Sequence, residues 1–330
     1  IDNELKLFPT LIVDGRFLAW DRSYEKYLFA KPFTISGAQE GDYYKYEQIW
    51  EYRGSDSKAL LDYTFSSILD AKYSYDGKYV AFIDQNENMR MLYVYSIEDG
   101  RLYIPAEDGF GVDTASFTWA NDKNVLYAIT GEYSSKQLMC YDMSDIGTVY
   151  ALAEQEFPES DLYYHNGFLF YSSLDALTLS KDIMRIDTAT GEITRVSAGY
   201  SFELSPDGSK IAINDIVEND GRESGRLTYI EMDFTGSVAE HVISTGQTIM
   251  DVAWSRNGKR LYYTVYRNAG WMANFPYALY YYDIDSDSNV YVMDMTNGTL
   301  YKSNNDTSIL VMRLYPGQNK QIPVTYIVKE

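Results

Sequence analysis

One short pattern recurs along the chain and restricts the folds available to it: a strand, a tight turn containing Asp-Gly or Asn-Gly, and a second strand. The clearest copies are Tyr73–Phe82, Phe202–Ile213 and Val252–Tyr263. Asp-Gly and Asn-Gly accept the positive φ that a tight turn needs, and the flanking residues alternate as in half-buried strands. In Ser205–Gly208 proline sets φ and glycine takes the left-handed position. The chain is therefore predicted to be built from β-hairpins.

Weaker copies extend the series to seven. The aligned turn positions are Gly15, Gly77, Lys123, Gly167, Gly208, Gly258 and Asp306, separated by 62, 46, 44, 41, 50 and 48 residues. After the first, these intervals match the roughly 40–50 residues of a four-stranded propeller blade. A second pair of alternating runs follows each turn, such as Met91–Ile97 and Arg101–Pro105. The long first interval is interpreted as an insertion near Lys31–Tyr43.

The predicted fold is all-β, a single β-propeller of four-stranded antiparallel blades, with seven blades preferred over six or eight. The approximate blades are residues 9–67, 68–112, 113–157, 158–200, 201–249, 250–297, and 298–330 plus 1–8. Only 24 residues follow Asp306, enough for two strands. Residues 4–8 are expected to supply the missing outer strand and close the ring, because closure removes exposed sheet edges.

Three segments resemble a known family. Tyr75–Phe82, Ser205–Ala212 and Trp254–Leu261 look like the WD40-like (PD40) repeat of TolB-type propellers, which is similar to the propeller domains of dipeptidyl and prolyl oligopeptidases. The resemblance implies the fold and a role as a binding platform, although fold alone does not fix function. The peptidases also need a hydrolase domain, and we expect none here. Gly221–Gly225 lacks the Gly-x-Ser-x-Gly spacing of such enzymes.

The charge limits the partners. With 28 Lys and Arg against 48 Asp and Glu, the net charge is −20, which disfavours nucleic acid and anionic membrane surfaces. A well-solvated surface explains such a charge; a preference for cationic partners or Ca²⁺ is the alternative. A single cysteine, Cys140, excludes an internal disulfide. No apolar run reaches the roughly 18 residues of a membrane span.

The chain opens on Ile1 without an initiating methionine. We therefore expect a mature or trimmed form from which any signal or anchor has been removed. The predicted location is extracytoplasmic (periplasmic, cell-surface or secreted) in a bacterium.

Catalytic chemistry finds little support. The two histidines, His165 and His241, are isolated, so no catalytic residue is assigned. A weak calcium candidate consists of Asp283, Asp285, Asp287 and Asp294, which occupy positions 1, 3, 5 and 12 of a calcium-loop pattern. The usual glycine at position 6 is Ser288, so a plain hairpin is preferred. No cofactor is predicted.

Recognition is expected in the segments that join the second and third strands of each blade, because loops carried by a rigid scaffold usually bind. These segments are Lys31–Tyr43, Gln85–Arg90, Gly131–Lys136, Ser172–Lys181, Asp215–Arg226, Arg267–Pro276 and Tyr315–Lys320.

The candidate ligand-binding residues belong to two of these segments. Trp, Tyr and Arg carry most binding hot spots. The candidates to hold a sugar ring or a peptide aromatic are Arg267, Trp271, Phe275 and Tyr277. Arg222 and Arg226, in a polar loop, are weaker candidates for contact with a partner. The alternative role of the aromatics is to cap the sixth blade.

The predicted function is a non-catalytic binding or scaffold propeller that recognises a protein or a cell-surface glycan. The alternatives are a carbohydrate-active enzyme with carboxylates in the channel and an architectural domain of a larger surface protein.

Overall fold

The structure is a computed structural model. It describes the chain except residues 1–5, 12–14, 22, 24, 37–42, 54–55, 88, 106–112, 132–135, 145–147, 155–157, 175–179, 220–221, 233–237, 256, 268–275, 296–297, 302–308, 317–320 and 330.

The described residues form β-strands, turns and bends and no helix, as the period-2 pattern predicts. The strands of the first half are β1 Lys6–Leu11, β2 Arg16–Trp20, β3 Lys26–Ser36, β4 Tyr43–Arg53, β5 Asp56–Ala59, β6 Ile68–Tyr73, β7 Tyr79–Asn86, β8 Met89–Ser96, β9 Arg101–Tyr103, β10 Thr114–Trp119, β11 Val125–Thr130, β12 Gln137–Asp142 and β13 Thr148–Glu154. The second half contributes β14 Pro158–His165, β15 Phe168–Leu174, β16 Lys181–Asp187, β17 Ile193–Ala198, β18 Ser201–Leu204, β19 Lys210–Asn219, β20 Arg222–Met232, β21 Val238–Thr245, β22 Thr248–Trp254, β23 Arg260–Tyr266, β24 Tyr277–Asp283, β25 Ser288–Met295, β26 Leu300–Tyr301, β27 Ile309–Pro316 and β28 Gln321–Lys329. No helix long and apolar enough to cross a membrane occurs in this part of the chain.

The strands group into four-stranded antiparallel sheets, seven of them in the described part of the chain. The chain divides into two compact units, Asp14–Ser197 and Ile1–Val13 with Ala198–Glu330. The first unit contains the sheets β2–β5, β6–β9, β10–β13 and β14–β17; the second contains β18–β21, β22–β25 and β1 with β26–β28. The all-β, four-stranded architecture is confirmed, and the blade number stays a prediction.

The N-terminal strand pairs with the C-terminal sheet, as predicted. The order is β1-β28-β27-β26, with Lys6 opposite Lys329 and Phe8 opposite Ile327. The strand covers Lys6–Leu11, against the predicted residues 4–8. The closure of a ring by this pairing stays a prediction.

A serine hydroxyl organises the turn between the first two strands of three sheets. In β18–β19 the Ser205 Oγ accepts a hydrogen bond from the Lys210 N–H at 2.9 Å and donates one to the Asp207 carboxylate at 2.7 Å. The same carboxylate accepts the Ser209 N–H at 3.0 Å, and Gly208 has φ 71°. Matching bonds form at Ser74–Asp76 and Ser255–Asn257. The predicted glycine turns are confirmed at these three positions.

The prediction of Gly15 as the turn of the first repeat is wrong. Gly15 precedes β2 and does not join two paired strands; the β2–β3 turn begins at Asp21. The Asp21 carboxylate accepts the Lys26 N–H at 2.9 Å and so takes the place of the turn serine. From Asp21 to its equivalent Ser74 is 53 residues. The long first interval therefore came mainly from the misplaced turn.

Large side chains at the end of the first strand hold neighbouring sheets together within each unit. Trp119 of β10 is buried and its indole N–H donates to the Lys72 carbonyl of β6 at 3.1 Å. Trp254 of β22 is also buried and donates in the same way to the Glu203 carbonyl of β18 at 2.9 Å. Each aromatic ring thus fills the space between two sheets while its one polar atom is satisfied.

Three of the predicted long loops are mostly strand. Gln85–Arg90 belongs to β7 and β8, in which Gln85 pairs with Arg90 and Asn86 with Met89. Asp215–Arg226, read as a polar loop, continues β19 and β20 as a ribbon in which Asp215 pairs with Arg226 and Asn219 with Arg222. The sequence signal was the Asp220-Gly221 pair, which is typical of a hairpin turn. Lys31–Tyr43 is likewise mostly β3 and β4, which pair from Lys26–Arg53 out to Ser36–Tyr43.

The Asp207 turn yields a pH-dependent prediction. Burial raises the pKa of Asp207, but the hydrogen bonds from Ser205 and Ser209 outweigh it, so the pKa lies below its ordinary value. The pKa of Asp207 in the unfolded chain is about 3.9, and the pKa in the folded protein is lower. The carboxylate therefore stabilises the fold at pH values above the unfolded pKa. This contribution is lost as the pH falls through the folded pKa. Asp207→Ala should lower the free energy of unfolding by about 1–2 kcal/mol at neutral pH.

Asp207→Asn is the matched control, because Asn257 makes the same bonds in the third copy. It should stay close to wild type at pH 7 in urea unfolding and lose less stability than wild type in acid. Equal losses for the Asn and Ala variants at neutral pH would contradict this account.

A close backbone approach makes Gly225 a second test. A Cβ atom there would lie 2.0 Å from the Gln247 carbonyl oxygen, and the Gly225 carbonyl accepts the Gly246 N–H at 3.0 Å. Gly225→Ala must displace the β21–β22 turn, and we expect a loss of about 1–3 kcal/mol or more in the free energy of unfolding. The neighbouring Ser224→Ala only removes atoms and should cost clearly less by the same measurement.

Candidate functional site

The strongest candidate site surrounds Arg267, the first residue after β23. Its backbone N–H donates to the Pro276 carbonyl at 2.8 Å, and this bond joins the two ends of the β23–β24 connection. The side chain lies over the outer half of the sheet, where Arg267 Nη1 is 2.7 Å from Asp294 Oδ1 and Nη2 donates to the Tyr280 hydroxyl at 3.1 Å. Strands β24 and β25 thus supply both partners.

Aromatic rings complete this group. The guanidinium carbon of Arg267 lies 5.2 Å from the centre of the Tyr291 ring and 6.0 Å from that of Tyr280. The Tyr280 and Tyr291 rings meet edge to face at 5.6 Å, and Tyr280 stacks on Tyr263 at 5.6 Å. Tyr291 is 49% exposed. We call Arg267, Tyr280, Tyr291 and Asp294 the Arg267 cluster.

Strand pairing explains why these side chains meet. Tyr280 is opposite Tyr291 on β25 and opposite Tyr263 on β23, so the three rings form a row on one face of the sheet. Asp294 pairs with Ala278, two residues before Tyr280, and therefore lies on the same face. A register shift between Leu279 and Tyr280 brings both Tyr291 and Asp294 onto it.

Tyr277 lies on the opposite face from Arg267. It is opposite Tyr266, with ring centres 5.6 Å apart, and it is three residues from Tyr280, so strand alternation separates the two. Arg267 and Tyr277 therefore do not lie together on one binding surface, although the sequence had predicted that they would. Trp271 and Phe275 lie outside the described residues.

The two arginines of the former loop are not part of the cluster. Arg226 forms an ion pair with Glu240 of β21, and both are partly exposed. Arg222 lies at the start of β20, opposite Asn219, and only its backbone is described.

The calcium candidate is a hairpin. Ile284–Asp287 is the turn between β24 and β25. Its carboxylates have different partners: Asp283 accepts the Ser286 N–H at 3.0 Å, Asp285 is 2.8 Å from Lys259, and Asp287 accepts the Tyr282 hydroxyl. Asp294 is bound to Arg267. Among the described residues, no three His, Cys, Asp or Glu side chains are grouped to hold a metal ion.

The two histidines and the cysteine singled out in the sequence lie in strands or at a turn, where their neighbours give them structural roles. His241 of β21 stacks on Tyr229 of β20, with ring centres 4.4 Å apart. His165 ends β14 and its ring lies 3.0 Å from the Asn166 amide. Cys140 is buried in β12, as predicted.

The electrostatics of the Arg267 cluster suit recognition more than proton transfer. The hydrogen bond with Tyr280, assisted by the Asp294 carboxylate, raises the pKa of Arg267. Burial, together with a hydrogen bond to Asp294, raises the pKa of Tyr291. Arg267 therefore stays charged and Tyr291 stays protonated at neutral pH. The cluster presents a fixed ion pair beside a half-exposed ring.

Comparison with known proteins identifies the fold. No protein-family model matches the chain, and no curated protein matches its sequence. Solved structures do match. The oligogalacturonate lyase of Vibrio parahaemolyticus is 12% identical with a TM-score of 0.66, over 99% of this chain and 94% of that chain. The β-propeller domain of the Trilobed protease from Pyrococcus furiosus is 12% identical with a TM-score of 0.62, over 97% and 95%.

TolB from Acinetobacter baumannii is a third match, 17% identical with a TM-score of 0.51, over 82% of this chain and 64% of that chain. The fold is therefore that of a β-propeller, and the resemblance to TolB-type propellers is confirmed at the level of the fold. These identities establish nothing about activity.

The geometry of the cluster predicts an energetic coupling. In a double-mutant cycle of Arg267→Met and Tyr291→Leu, measured by urea unfolding, we expect a coupling of about 0.5–1 kcal/mol, because the guanidinium rests over a partly exposed ring. The exposed pair Lys259–Asp285 is the reference cycle and should give a smaller value. Equal coupling energies would show that the Arg267–Tyr291 contact stabilises the fold no more than an exposed ion pair does.

Proposed function

We propose that this chain is a non-catalytic binding protein that acts outside the cytoplasm and recognises a cell-surface glycan at the Arg267 cluster. The observation that carries the proposal is the half-exposed Tyr291 ring flanked by a guanidinium and a carboxylate. The extracytoplasmic location rests on the resemblance to TolB-type propellers.

The chemistry of the cluster matches a sugar. A pyranose ring offers an apolar C–H face, which packs on an aromatic ring, and hydroxyl groups around its edge. Arg267 supplies donors and Asp294 supplies acceptors next to Tyr291, so both parts of such a ligand find partners. Because Arg267 and Asp294 are 2.7 Å apart, each orients the other before a ligand arrives.

The other predicted ligand-binding residues have different parts in this proposal. The connection 268–275 begins next to Arg267 and contains Trp271 and Phe275, which stay candidate contacts on sequence grounds. Tyr277, on the other face of the sheet, is a candidate for positioning this connection and not for direct contact. Arg222 and Arg226 stay weaker candidates in the β19–β20 ribbon.

The enzyme alternative receives no specific support from the described residues. The hydroxyl of Tyr291 and the guanidinium of Arg267 do not exchange protons near neutral pH. A carboxylate pair elsewhere in the fold remains the form that such an enzyme would take.

A glycan array tests the proposal. Wild-type protein should retain a subset of glycans, and Tyr291→Ala and Arg267→Ala should weaken that retention about tenfold or more, since aromatic and arginine contacts dominate most binding sites. Tyr291→Phe keeps the ring and should retain most binding. Tyr200→Ala, at an equally exposed tyrosine between β17 and β18, is the matched control.

Retention that is the same in the wild type, Tyr291→Ala and Arg267→Ala would refute binding at this cluster. If the protein is retained by peptides on a parallel peptide array and by no glycan on the glycan array, the proposal that the ligand is a glycan is refuted.

A further inference from the structure

A second surface, independent of the Arg267 cluster, lies on the ribbon formed by Lys31–Ser36 of β3 and Tyr43–Gln48 of β4. These residues pair with each other and, in the described part of the chain, extend beyond the neighbouring strands of their sheet. The last β2–β3 pair is Arg16 with Ala30, and β5 pairs with β4 only from Trp50 onward. We call this segment the β3–β4 ribbon.

One face of the β3–β4 ribbon is apolar and exposed. Phe33 is opposite Tyr46 and Ile35 is opposite Tyr44, so the four side chains project from the same face. Phe33 is 47%, Ile35 42% and Tyr44 54% exposed. The other face carries the pairs Pro32–Glu47 and Thr34–Lys45. Adjoining exposed apolar side chains on one face make the ribbon a candidate interaction surface.

The edges of the ribbon are unsuited to strand addition. Pro32 lies just beyond the end of β2 and has no N–H to donate. On the other edge, Glu47 already exchanges two backbone hydrogen bonds of 2.8 Å with Phe65, and Lys45 occupies the exposed part. Proline and lysine are residues that block edge pairing. A partner is therefore expected on the apolar face.

The base of the ribbon is held firmly. Lys31 Nζ lies 4.1 Å from the centre of the Trp50 ring, and the Trp50 indole N–H donates to Gln48 at 2.9 Å. Gln48 in turn donates to the Leu61 carbonyl at 3.0 Å. The apolar face is thus presented in a defined position and not on a free loop.

Size and charge select the occupant. Two strands of six residues present a face of about 200 Å², far below the roughly 800 Å² per partner of a stable dimer. Two copies, each with a net charge of −20, would also repel each other. A short peptide segment fits the area, and basic side chains match the charge. An acidic chain accelerates and favours encounters with basic partners.

We propose that the apolar face of the β3–β4 ribbon binds a peptide segment of a basic protein in which apolar and basic side chains alternate. The apolar side chains pack on Phe33, Ile35 and Tyr44. The basic ones point to the opposite face of the peptide, where the overall negative charge of the chain attracts them at longer range.

Fluorescence anisotropy with synthetic peptides tests this. The probes are peptides of about ten residues that alternate Leu or Phe with Lys, a matched set with Glu in place of Lys, and a third with Ser in place of Leu and Phe. At an ionic strength of about 0.15 M, the Lys–apolar set should bind best. Phe33→Thr and Tyr44→Thr should weaken it about fivefold or more, while threonine keeps the strand propensity.

Ile216→Thr is the matched control, because Ile216 is an exposed apolar residue on the β19–β20 ribbon. Circular dichroism and thermal unfolding confirm that each variant is folded. Arg267→Ala and Tyr291→Ala should bind the peptide like wild type, so failure at this surface is distinguishable from failure of the glycan proposal.

Three results would overturn the proposal. The first is unchanged peptide binding in Phe33→Thr and Tyr44→Thr, which indicates attraction to the acidic surface alone. The second is equal binding of the Glu–apolar set. The third is a wild-type dimer in sedimentation experiments that the two variants abolish, which would make a second copy the occupant.

Discussion

Burial of large aromatic side chains between successive sheets, each with its polar atom satisfied, is the interaction on which the architecture depends. A four-stranded sheet has two faces and cannot cover both alone, so it must pack against a neighbour. Trp119 and Trp254 do this at equivalent positions in the two units, and each indole bonds to a carbonyl of the preceding first strand. That bond fixes the depth and rotation of the ring, so it sets how one sheet sits on the next.

The turn networks supply the second constraint, because they fix where the first strand ends. The buried hydroxyls of Ser74, Ser205 and Ser255 each take the N–H of the residue five positions later. This fixes the end of the first strand directly after Tyr73, Leu204 and Trp254. Asp21 performs the task of the serine with a carboxylate, so the geometry survives a change in chemistry. The repeat is conserved as a hydrogen-bond pattern more than as a sequence.

That difference explains what sequence could and could not predict. Turns with glycine at positive φ were found correctly at Gly77, Gly208 and Gly258. The Asp21 turn lacks a glycine and was overlooked, and Gly15 was chosen in its place. At the site, Arg267 was identified by its residue type, but its partners depend on a register shift between Leu279 and Tyr280. Alternation read from sequence runs through such a shift unchanged, so the meeting of Asp294 with Tyr291 on one face was not predicted. Tyr277 was grouped with Arg267 because both flank the same connection, although alternation along β24 separates Tyr277 from Tyr280.

Ribbons that extend beyond their sheets must be stabilised locally, because an isolated two-stranded hairpin is marginal in water. The two such ribbons described here solve this differently. The β19–β20 ribbon is held by the backbone of the β21–β22 turn at Gly225 and by the Arg226–Glu240 pair. The β3–β4 ribbon is held at Trp50 and Gln48, below its apolar face. Phe33, Ile35 and Tyr44 on that face keep exposed apolar surface that a partner can bury.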